Sequence, residues 1–373
     1  MENIENPEII RATPKLWILA SPHSGDNTQM TALAEALGWP CELKRLVYHR
    51  REAALRFLGL ASLAGVDQPN SSRLAAPWPD LVICAGRGAE AVAFWLQRHG
   101  NPQLRIVFVG TPWNDPAHFD LVITTPQYGL PQASNILHNL LPMHGVTAER
   151  IAAEAARWEQ RLSHLPKPCT AVLVGGSSGP YVFTPEAAAR LGREASTMAK
   201  HVGGSLLVTT SARTPAAAAD ALAAATSVPS FIFRWTRQAG DNPFHAFLGL
   251  ADRIVVTGDS ISMLAEACAT RKPVALFDIE EGPYAMRAED GLAGAAGRLP
   301  PIGWRGRSPD ATAFRLLMNH APVRWSRDLR IIHRQLINAG FASWLGEEPK
   351  CEPPDDEPAL ARGVARIRQL FAL

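Results

Sequence analysis

The sequence predicts an α/β protein of two Rossmann-like domains, whose parallel sheets face an interdomain cleft. Short apolar runs alternate with longer segments of helical periodicity along the 373 residues, the pattern of repeated βαβ units. The chain also exceeds one ordinary domain, since domains contain roughly 100–200 residues. Its hydrophobic content of 47% and charged content of 19% are typical of a globular protein.

The first half of the chain contains a series of apolar runs that we interpret as strands. These cover residues 16–20, 42–48, 81–84, 105–109 and 121–124. Helices are predicted over residues 31–37, after Arg87 and around Trp158. Pro166 and Pro168 disfavour further helix, so we place a domain boundary between residues 165 and 166.

A second series of elements follows this boundary. Thr184 and Thr214 each precede a proline, as an N-cap precedes proline at the first helical position. The helix after Thr184 is predicted to reach residue 202, and another covers residues 261–270. Strands are predicted over residues 169–174, 205–209, 230–233, 253–257 and 273–277. The predicted domains are therefore residues 1–165 and 166–346, followed by a Pro- and acid-rich connector with a terminal helix over residues 347–373.

Composition excludes several classes of protein and site. The formal net charge of +2 is too small for a protein whose main partner is nucleic acid. The five cysteines are scattered singly, which favours free thiols in a reducing compartment over disulfides or zinc, and no metal site is predicted. The N-terminus has no signal-peptide pattern, and no run of about 18 apolar residues exists. We therefore expect a cytoplasmic protein.

Two loops of the second domain have the composition of a phosphate site. Ligands of open α/β sheets bind beyond the carboxyl ends of the strands. The loop that starts at Gly175 follows the strand at 169–174, and its glycines would let backbone N–H groups approach a phosphate. The next loop places Arg213 just before a helix N-terminus, where an anion is favoured. A tight surface turn and a solvated arginine are the alternatives.

A third loop joins the strand at 253–257 to the next helix. Asp259, Ser262 and Glu266 are spaced three and four apart, which predicts that they share one helix face. Backbone N–H groups around residues 260–263 would hold a diphosphate, and Glu266 would accept hydrogen bonds from a ribose diol. The alternative is that Asp259 or Ser260 only caps the helix and Glu266 is solvated. The predicted nucleotide-binding residues are Gly175, Gly176, Ser177, Ser211, Arg213, Thr214, Asp259, Ser260, Ser262, Met263 and Glu266.

The first domain offers candidates for the acceptor side of a transfer reaction. His23 and Asp26 follow the first predicted strand, and either is a candidate base for an acceptor hydroxyl. A turn closed by Asp26, with Thr28 helping to start the helix, is the alternative. The other predicted acceptor-side residues are Ser24, Gly25, Asn27, Gly86 and Arg87.

A basic stretch over residues 44–63 alternates cations with leucines. Lys44, Arg50 and Arg56 are among its cations, and Leu63 closes it. The pattern predicts either a peripheral contact with an anionic membrane or a helix with an apolar core face and a solvated basic face. The oligomeric state is left open.

Several motifs together resemble the mitochondrial-fission (elongated-mitochondria) protein family. They occur in order over roughly residues 16–280, which makes chance agreement improbable. The chain departs from the family pattern at Gln127-Tyr128, where many members have a His-Asp pair, and at Ser21, where an acidic residue is common. The motifs are Gly25–Gln29, Phe119–Val122, Gly175–Ser177, Ser211–Pro215, Asn242–Phe244, Leu250–Asp252, Val255–Met263 and Glu266-Ala267.

The resemblance implies a GT-B glycosyltransferase-like architecture, and its Asp-Ser loop is similar to one in non-hydrolysing nucleotide-sugar 2-epimerases. The leading hypothesis is a metal-independent transferase that takes a nucleoside-diphosphate sugar as substrate and needs no cofactor. A nucleotide-sugar epimerase and a noncatalytic adaptor at a membrane surface are the alternatives. Base, sugar, acceptor and anomeric outcome are left open by the sequence.

Overall fold

The structure is a computed structural model that describes residues 13–49, 61–238, 240–282, 285–287, 309–320, 327–348 and 358–372. The chain folds into two compact units. Unit 1 comprises residues 1–123, 132–137 and 360–373, and unit 2 comprises residues 124–131 and 138–359. Each unit contains one six-stranded sheet flanked by helices. The predicted α/β class, with one Rossmann-like sheet in each half, is confirmed.

The strands and helices alternate along the chain, as the periodicity predicts. The strands are β1 Leu16–Leu19, β2 Cys41–Lys44, β3 Leu81–Cys84, β4 Arg105–Val109, β5 Leu121–Thr124, β6 Ile136–His138, β7 Cys169–Leu173, β8 Ser205–Thr209, β9 Ser230–Phe233, β10 Arg253–Thr257, β11 Val274–Phe277 and β12 Ser343–Trp344. The helices are α1 Ser24–Leu37, α2 Arg87–His99, α3 Ala148–Leu162, α4 Pro185–His201, α5 Ala216–Ala225, α6 Phe244–Leu250, α7 Ile261–Cys268, α8 Pro309–His320, α9 Leu329–Asn338 and α10 Ala359–Leu370.

The first sheet has the strand order β2-β1-β3-β4-β5-β6, and the second has the order β12-β11-β10-β7-β8-β9. Neighbouring strands run parallel in both, from β1–β2 in unit 1 to β8–β9 in unit 2. The central strands are buried on both faces, which explains why they appear in the sequence as continuous apolar runs.

Some predicted elements have different bounds. Helix α1 begins at Ser24 instead of residue 31, so the polar segment 24–29 is its first turns and not a loop. The strand predicted over 42–48 ends at Lys44, because the following residues pair with another segment: Val47 O accepts a hydrogen bond of 2.8 Å from Asp67 N. The short elements β6, β12 and α6 were not predicted, nor were the longer helices α8 and α9.

Helix α3 belongs to unit 2 by its packing, although the sequence-based boundary after residue 165 places it with the first domain. Its Trp158 is buried against Phe231 and Phe247, with ring centroids 5.9 and 6.5 Å away. Gly249 of α6 permits the close approach, since a Cβ there would lie 2.7 Å from the Cβ of Ala155. Helix α10, predicted as part of a separate connector, has residues 360–370 in unit 1, where Phe371 meets Trp39 edge to face.

Helices α4 and α5 pack closely where a glycine faces the end of α5. A Cβ on Gly192 would lie 2.8 Å from Leu222 O and 3.1 Å from the Cβ of Ala225. We expect Gly192→Val to lower the free energy of unfolding by about 1–3 kcal/mol, the usual cost of overpacking. Denaturant unfolding would measure this. The control Ala217→Val introduces the same residue at an exposed position of α5 and should cost well under half as much.

Candidate functional site

The central strands of the second sheet bring three predicted loops together. Strand β7 lies between β10 and β8, and all three run parallel, so their carboxyl ends share one edge. The loops touch there: Gly175 N donates to Thr257 Oγ1 at 2.8 Å, and Ser211 Oγ donates to Gly175 O at 2.8 Å. The predicted convergence of Gly176, Arg213 and the Asp259 loop is therefore present in the structure.

Asp259 forms the centre of this edge. Its side chain is 0% exposed, and its Oδ2 accepts hydrogen bonds from Gly176 N at 2.9 Å and from Arg213 Nη1 at 2.8 Å. Burial raises the pKa of the Asp259 carboxyl, and the neighbouring Arg213 charge is the largest of the effects that oppose this rise. One carboxylate thus connects the loops that follow β7, β8 and β10.

Gly175 and Gly176, the first two residues of the loop after β7, do not have the phosphate-binding role that the sequence predicts for them. The N–H groups of Gly175 and Gly176 are bonded to Thr257 and Asp259, so neither can be donated to a diphosphate. The glycines are required by packing. A Cβ at residue 175 would lie 2.3 Å from Asp259 Oδ2, and one at residue 176 would lie 2.1 Å from Arg213 O.

The hydroxyl groups of the two loops also serve mainly to hold them. Ser177 Oγ accepts from Phe183 N at 3.0 Å, and Thr214 Oγ1 accepts from Ser211 N at 3.0 Å. Arg213 is 42% exposed, and its Nη1 also donates to Ser177 O at 3.3 Å. Of the predicted groups on these loops, the Arg213 guanidinium is the one that both bears charge and reaches solvent.

The first turn of α7 supplies free backbone donors at the same edge. Ser260 N donates to Thr257 O, and the helical ladder starts with Leu264 N donating to Ser260 O at 3.0 Å. Between them, the N–H groups of Ile261, Ser262 and Met263 have no acceptor within the part of the chain that the structure describes. Ser260 is the N-cap residue, but its hydroxyl forms no capping bond. These orphan donors and the helix dipole favour an anion.

Glu266 lies on the partly exposed face of α7 with Ser262 and Met263, whereas Asp259 does not. The prediction that Asp259 shares this face is wrong, because Asp259 precedes the helix and turns inward toward Gly176. The Glu266 side chain is 13% exposed, and burial raises its pKa to about 7, with Arg150 opposing the rise. Its closest ionisable neighbour is His245, whose Nε2 is 3.9 Å from Glu266 Oε2. Among the described residues, no hydrogen-bond donor reaches this carboxylate.

His333 of α9 contacts the loop that follows β10. Sequence reasoning missed this residue, since one isolated histidine on a helix forms no recognisable pattern. Its Nε2 donates to Gly258 O at 2.7 Å, and its Nδ1 is buried with no partner among the described residues. Burial lowers the pKa of His333 to about 4, against the bond to Gly258, which raises it. The ring therefore stays neutral near pH 7 and fixes the residue that precedes Asp259.

In unit 1, the turn between β1 and α1 is closed by the predicted acceptor-side residues. Ser21 Oγ donates to Asp26 Oδ2 at 2.8 Å, and the Asn27 side-chain amide forms two bonds of 2.8 Å with the backbone of Ser21. Thr28 Oγ1 bonds back to Ser24 O at 3.1 Å. His23 is the exposed N-cap residue of α1. Asp26 and Asn27 therefore organise the turn, and a catalytic role for His23 or Asp26 stays a prediction.

Gly86 and Arg87 begin α2 at the same edge of the first sheet. The Arg87 guanidinium lies 4.2 Å above the Trp113 ring. Glu90, which sequence reasoning missed, is buried and accepts bonds from Trp113 N at 2.7 Å and Asn114 N at 3.0 Å. The sequence did contain a signal for Glu90, namely an acidic residue in the first turn of the predicted helix. Glu90 thereby fixes the loop after β4 beside Arg87.

The basic stretch over 44–63 is described only in part, since residues 50–60 lie outside the described residues. Lys44 is 12% exposed, lies 4.0 Å from the centre of the Trp17 ring and pairs with Glu42 at 2.7 Å. Its charge is therefore largely satisfied within unit 1. Across the described ranges, no helix has the length and hydropathy needed to cross a bilayer, and no three His, Cys, Asp or Glu side chains gather as metal ligands.

The comparisons with known proteins give one family and two distant relatives. The family model described as "Mitochondrial fission ELM1" matches residues 24–293. The mitochondrial fission protein ELM1 of Arabidopsis thaliana is 25% identical over 246 residues, which cover 58% of this chain and 57% of the plant protein. The uncharacterized protein RP120 of Rickettsia prowazekii (strain Madrid E) is 23% identical over 299 residues, 70% of this chain and 82% of that protein. The match therefore spans less than two thirds of the plant relative.

Similar solved structures include a putative UDP-N-acetylglucosamine 2-epimerase from Listeria monocytogenes, with a TM-score of 0.48, 13% identity and coverage of 96% of this chain and 97% of that one. The S. aureus MnaA–UDP structure has a TM-score of 0.47 and 12% identity, with coverage of 96% and 97%. Acinetobacter baumannii MurG has a TM-score of 0.42 and 15% identity, with coverage of 96% and 92%. At such distances, the site of this chain must be understood from its own contacts.

Because His333 is buried in its neutral form, we expect the folded protein to lose stability in acid. Its folded pKa of about 4 lies below the unfolded value of 6.5, so its contribution is full above pH 6.5 and is lost as pH falls toward 4. The loss should approach about 3 kcal/mol, from about 1.4 kcal/mol per pKa unit. Chemical denaturation at pH 7, 5.5 and 4.5 should show a flatter pH dependence for His333→Gln than for the wild type. The exposed control His201→Gln should keep the wild-type slope.

Proposed function

The chain belongs to the mitochondrial fission ELM1 family, and we propose that its second unit binds a nucleoside-diphosphate sugar and that the protein transfers the sugar to an acceptor. The observation that carries this proposal is the first turn and a half of α7. There, free N–H groups of residues 261–263 and the carboxylate of Glu266, which has no donor among the described residues, lie on one short helix. N–H groups that can donate to an anion and a carboxylate that can accept from hydroxyl groups therefore lie a few ångströms apart along one helix axis.

The diphosphate would lie at the N-terminus of α7. Three unpaired N–H groups and the positive end of the helix dipole favour negative charge there. Arg213, on the loop after β8, adds a guanidinium that Asp259 holds at the same edge. Unlike the N–H groups of Gly175 and Gly176, the α7 N–H groups and the Nε and Nη2 groups of Arg213 have no acceptor among the described residues.

The ribose diol would bind Glu266. A carboxylate accepts from both hydroxyls of a vicinal diol, and this one has no competing donor among the described residues. The carboxylate is also mostly buried, so its hydrogen bonds to a ligand would be worth more than those of a solvated acid. A diphosphate at one end and a diol at the other is the chemistry of a nucleoside diphosphate.

Transfer of the sugar would leave a free diphosphate whose new charge needs stabilisation. Preorganised donors aimed at developing charge typically contribute several kcal/mol, and the α7 N–H groups and Arg213 would act in this way. In unit 1, His23 is the exposed candidate for a base on the acceptor hydroxyl, with Asp26 as the second candidate.

Glu266→Ala should abolish measurable binding of UDP- or GDP-sugars by isothermal titration calorimetry. The pH dependence gives a sharper test, because a carboxylate with a pKa of about 7 is better able to accept two hydrogen bonds as it ionises. From pH 6.5 to pH 8 the affinity should rise about fourfold, the increase in the ionised fraction. Glu266→Gln should remove this slope. Nucleotide sugars suit the test because their diphosphates do not titrate in this range.

The exposed Glu35→Ala in unit 1 is the matched control and should bind as the wild type does. A thermal melt should show that Glu266→Ala remains folded. Unchanged affinity in a folded Glu266→Ala protein would reject the ribose site.

The reaction class is tested by products. With a nucleotide sugar alone, a transferase should leave the sugar configuration unchanged, whereas an epimerase would convert it without any acceptor. We expect no conversion, as read by NMR of the sugar anomeric region after prolonged incubation. Accumulation of a second sugar isomer would contradict transfer and identify an epimerase.

A further inference from the structure

Helices α6 and α7 bring a histidine next to the candidate ribose acid. His245 Nε2 lies 3.9 Å from Glu266 Oε2, which is longer than a hydrogen bond. Both side chains reach solvent in part, with 24% of His245 and 13% of Glu266 exposed. Among the described residues, neither side chain forms a hydrogen bond. The imidazole therefore lies beside the carboxylate without occupying its acceptor positions.

The distance between these two groups suits a bridging hydroxyl group. Two hydrogen bonds of about 2.8 Å that meet at one oxygen span roughly 4 to 4.5 Å, since the angle between them is about 90 to 110°. The 3.9 Å between His245 Nε2 and Glu266 Oε2 is close to that span. A hydroxyl can donate to the carboxylate and accept from the imidazole at the same time. One ligand hydroxyl can therefore satisfy both groups, which neither a lone donor nor a lone acceptor can do.

The charges around the pair leave both groups available to a ligand. Burial lowers the pKa of His245 below its ordinary value of 6.5, as does the Arg150 charge, while Glu154 opposes this shift. At pH 8 the ring is therefore neutral, and one of its nitrogens is a donor. Glu266, with a pKa of about 7, is mostly ionised at that pH. A neutral imidazole forms no ion pair with the carboxylate, so its N–H group remains for a ligand.

Helix α6 is held in place on two sides, which fixes the position of His245. Its Gly249 packs against α3. Lys272, which follows α7, donates from Nζ to Leu248 O and Gly249 O at 2.7 Å each. The last turn of α6 is thereby tied to the segment that follows α7. The helices that carry His245 and Glu266 are thus fixed relative to each other before a ligand binds, which reduces the ordering cost of binding.

We propose that His245 is a second ribose-binding residue, whose Nε2–H donates to the same hydroxyl that itself donates to Glu266 Oε2. Glu266 Oε1 accepts from the neighbouring hydroxyl, so one hydroxyl of the diol is held by two groups and the other by one. The pair thereby selects ribonucleotides over deoxyribonucleotides that lack the shared hydroxyl. This inference rests on the proposed function, because it concerns the sugar ring of the same nucleotide.

A merely structural role of His245 predicts something different. Its ring meets that of Phe244 edge to face, with centroids 5.3 Å apart, and this contact is the one through which such a role would act. Loss of packing would change the affinity for every nucleotide by a common factor. Replacing the side chain and removing single hydroxyls of the ligand separates the two roles, because only a direct bond couples the two changes.

The test is calorimetry at pH 8 with UDP, 2′-deoxy-UDP and 3′-deoxy-UDP, repeated with the guanosine counterparts. In the wild type, one of the two deoxy ligands should bind at least about tenfold more weakly than the ribonucleotide, because loss of the shared hydroxyl leaves two largely buried polar groups without a partner. His245→Phe keeps an aromatic ring without an N–H group. It should weaken the ribonucleotide and the other deoxy ligand about tenfold. For the ligand that lacks the shared hydroxyl, it should change the affinity by less than about twofold.

Two further variants control this experiment. His245→Gln restores an N–H donor at a similar reach, so it should bind the ribonucleotide within about threefold of the wild type. His201→Phe makes the same substitution at the exposed end of α4, just before β8 begins and therefore at the amino edge of the sheet. It should bind all three ligands as the wild type does. Circular dichroism and a thermal melt should show that the variants are folded.

The outcomes separate this inference from the proposed function. A loss of similar size for all three nucleotides in a folded His245→Phe protein, or no loss for any, would overturn the shared hydroxyl while leaving nucleotide binding in place. If His245→Phe does not fold, the wild-type series still decides, since equal affinity for UDP and both deoxy ligands would overturn the inference. Failure of the wild type to bind any nucleotide or nucleotide sugar would reject the proposed function itself.

Discussion

The buried carboxylate of Asp259 is the contact on which the candidate site depends. It accepts from Gly176 N on one side and pairs with Arg213 on the other, so that loops from three neighbouring strands are held by one group. Removing water from a charged group is costly unless its partners remain in place. The pairing therefore fixes the backbone around Gly176 and the direction of the Arg213 side chain together.

The glycines of the loop after β7 follow from this constraint. Asp259 needs the space that a side chain at residue 175 would occupy, and the carbonyl of Arg213 approaches residue 176 equally closely. Glycine is required here to let protein groups meet, in contrast to phosphate loops, whose glycines let a ligand approach the backbone. The same residue type thus serves a different physical purpose from the one its pattern suggests.

Helix α7 combines two further properties that do not depend on the loops. Its start leaves donors unpaired because no side chain caps them, and its partly exposed face presents Glu266 a turn and a half later. Burial of Glu266 among α7 and its neighbours raises its pKa to about 7, which makes its charge sensitive to small changes of environment. A ligand that spans both features would meet a helix dipole at one end and a strong acceptor at the other.

The sequence alone determined the α/β class, the family and most of the central strands. Strands β3, β4, β5, β8 and β10 have the predicted bounds, because a strand buried on both faces of a parallel sheet must be a continuous apolar run. The edge strand β9 also has its predicted bounds, although it is only partly buried. The convergence of the three loops also followed from the sequence, since parallel strands place their carboxyl ends at one edge.

Tertiary structure decided what each site residue does. Asp259 and Glu266 are carboxylic acids of the same segment after β10, yet one is turned inward to Arg213 and the other has no hydrogen-bond donor among the described residues. Local periodicity could not separate them, because the difference arises from partners 46 and more residues away in the chain. His333 and the α3–α6 packing were invisible for the same reason: hydrogen bonds and ring contacts between distant segments leave no local pattern in the sequence.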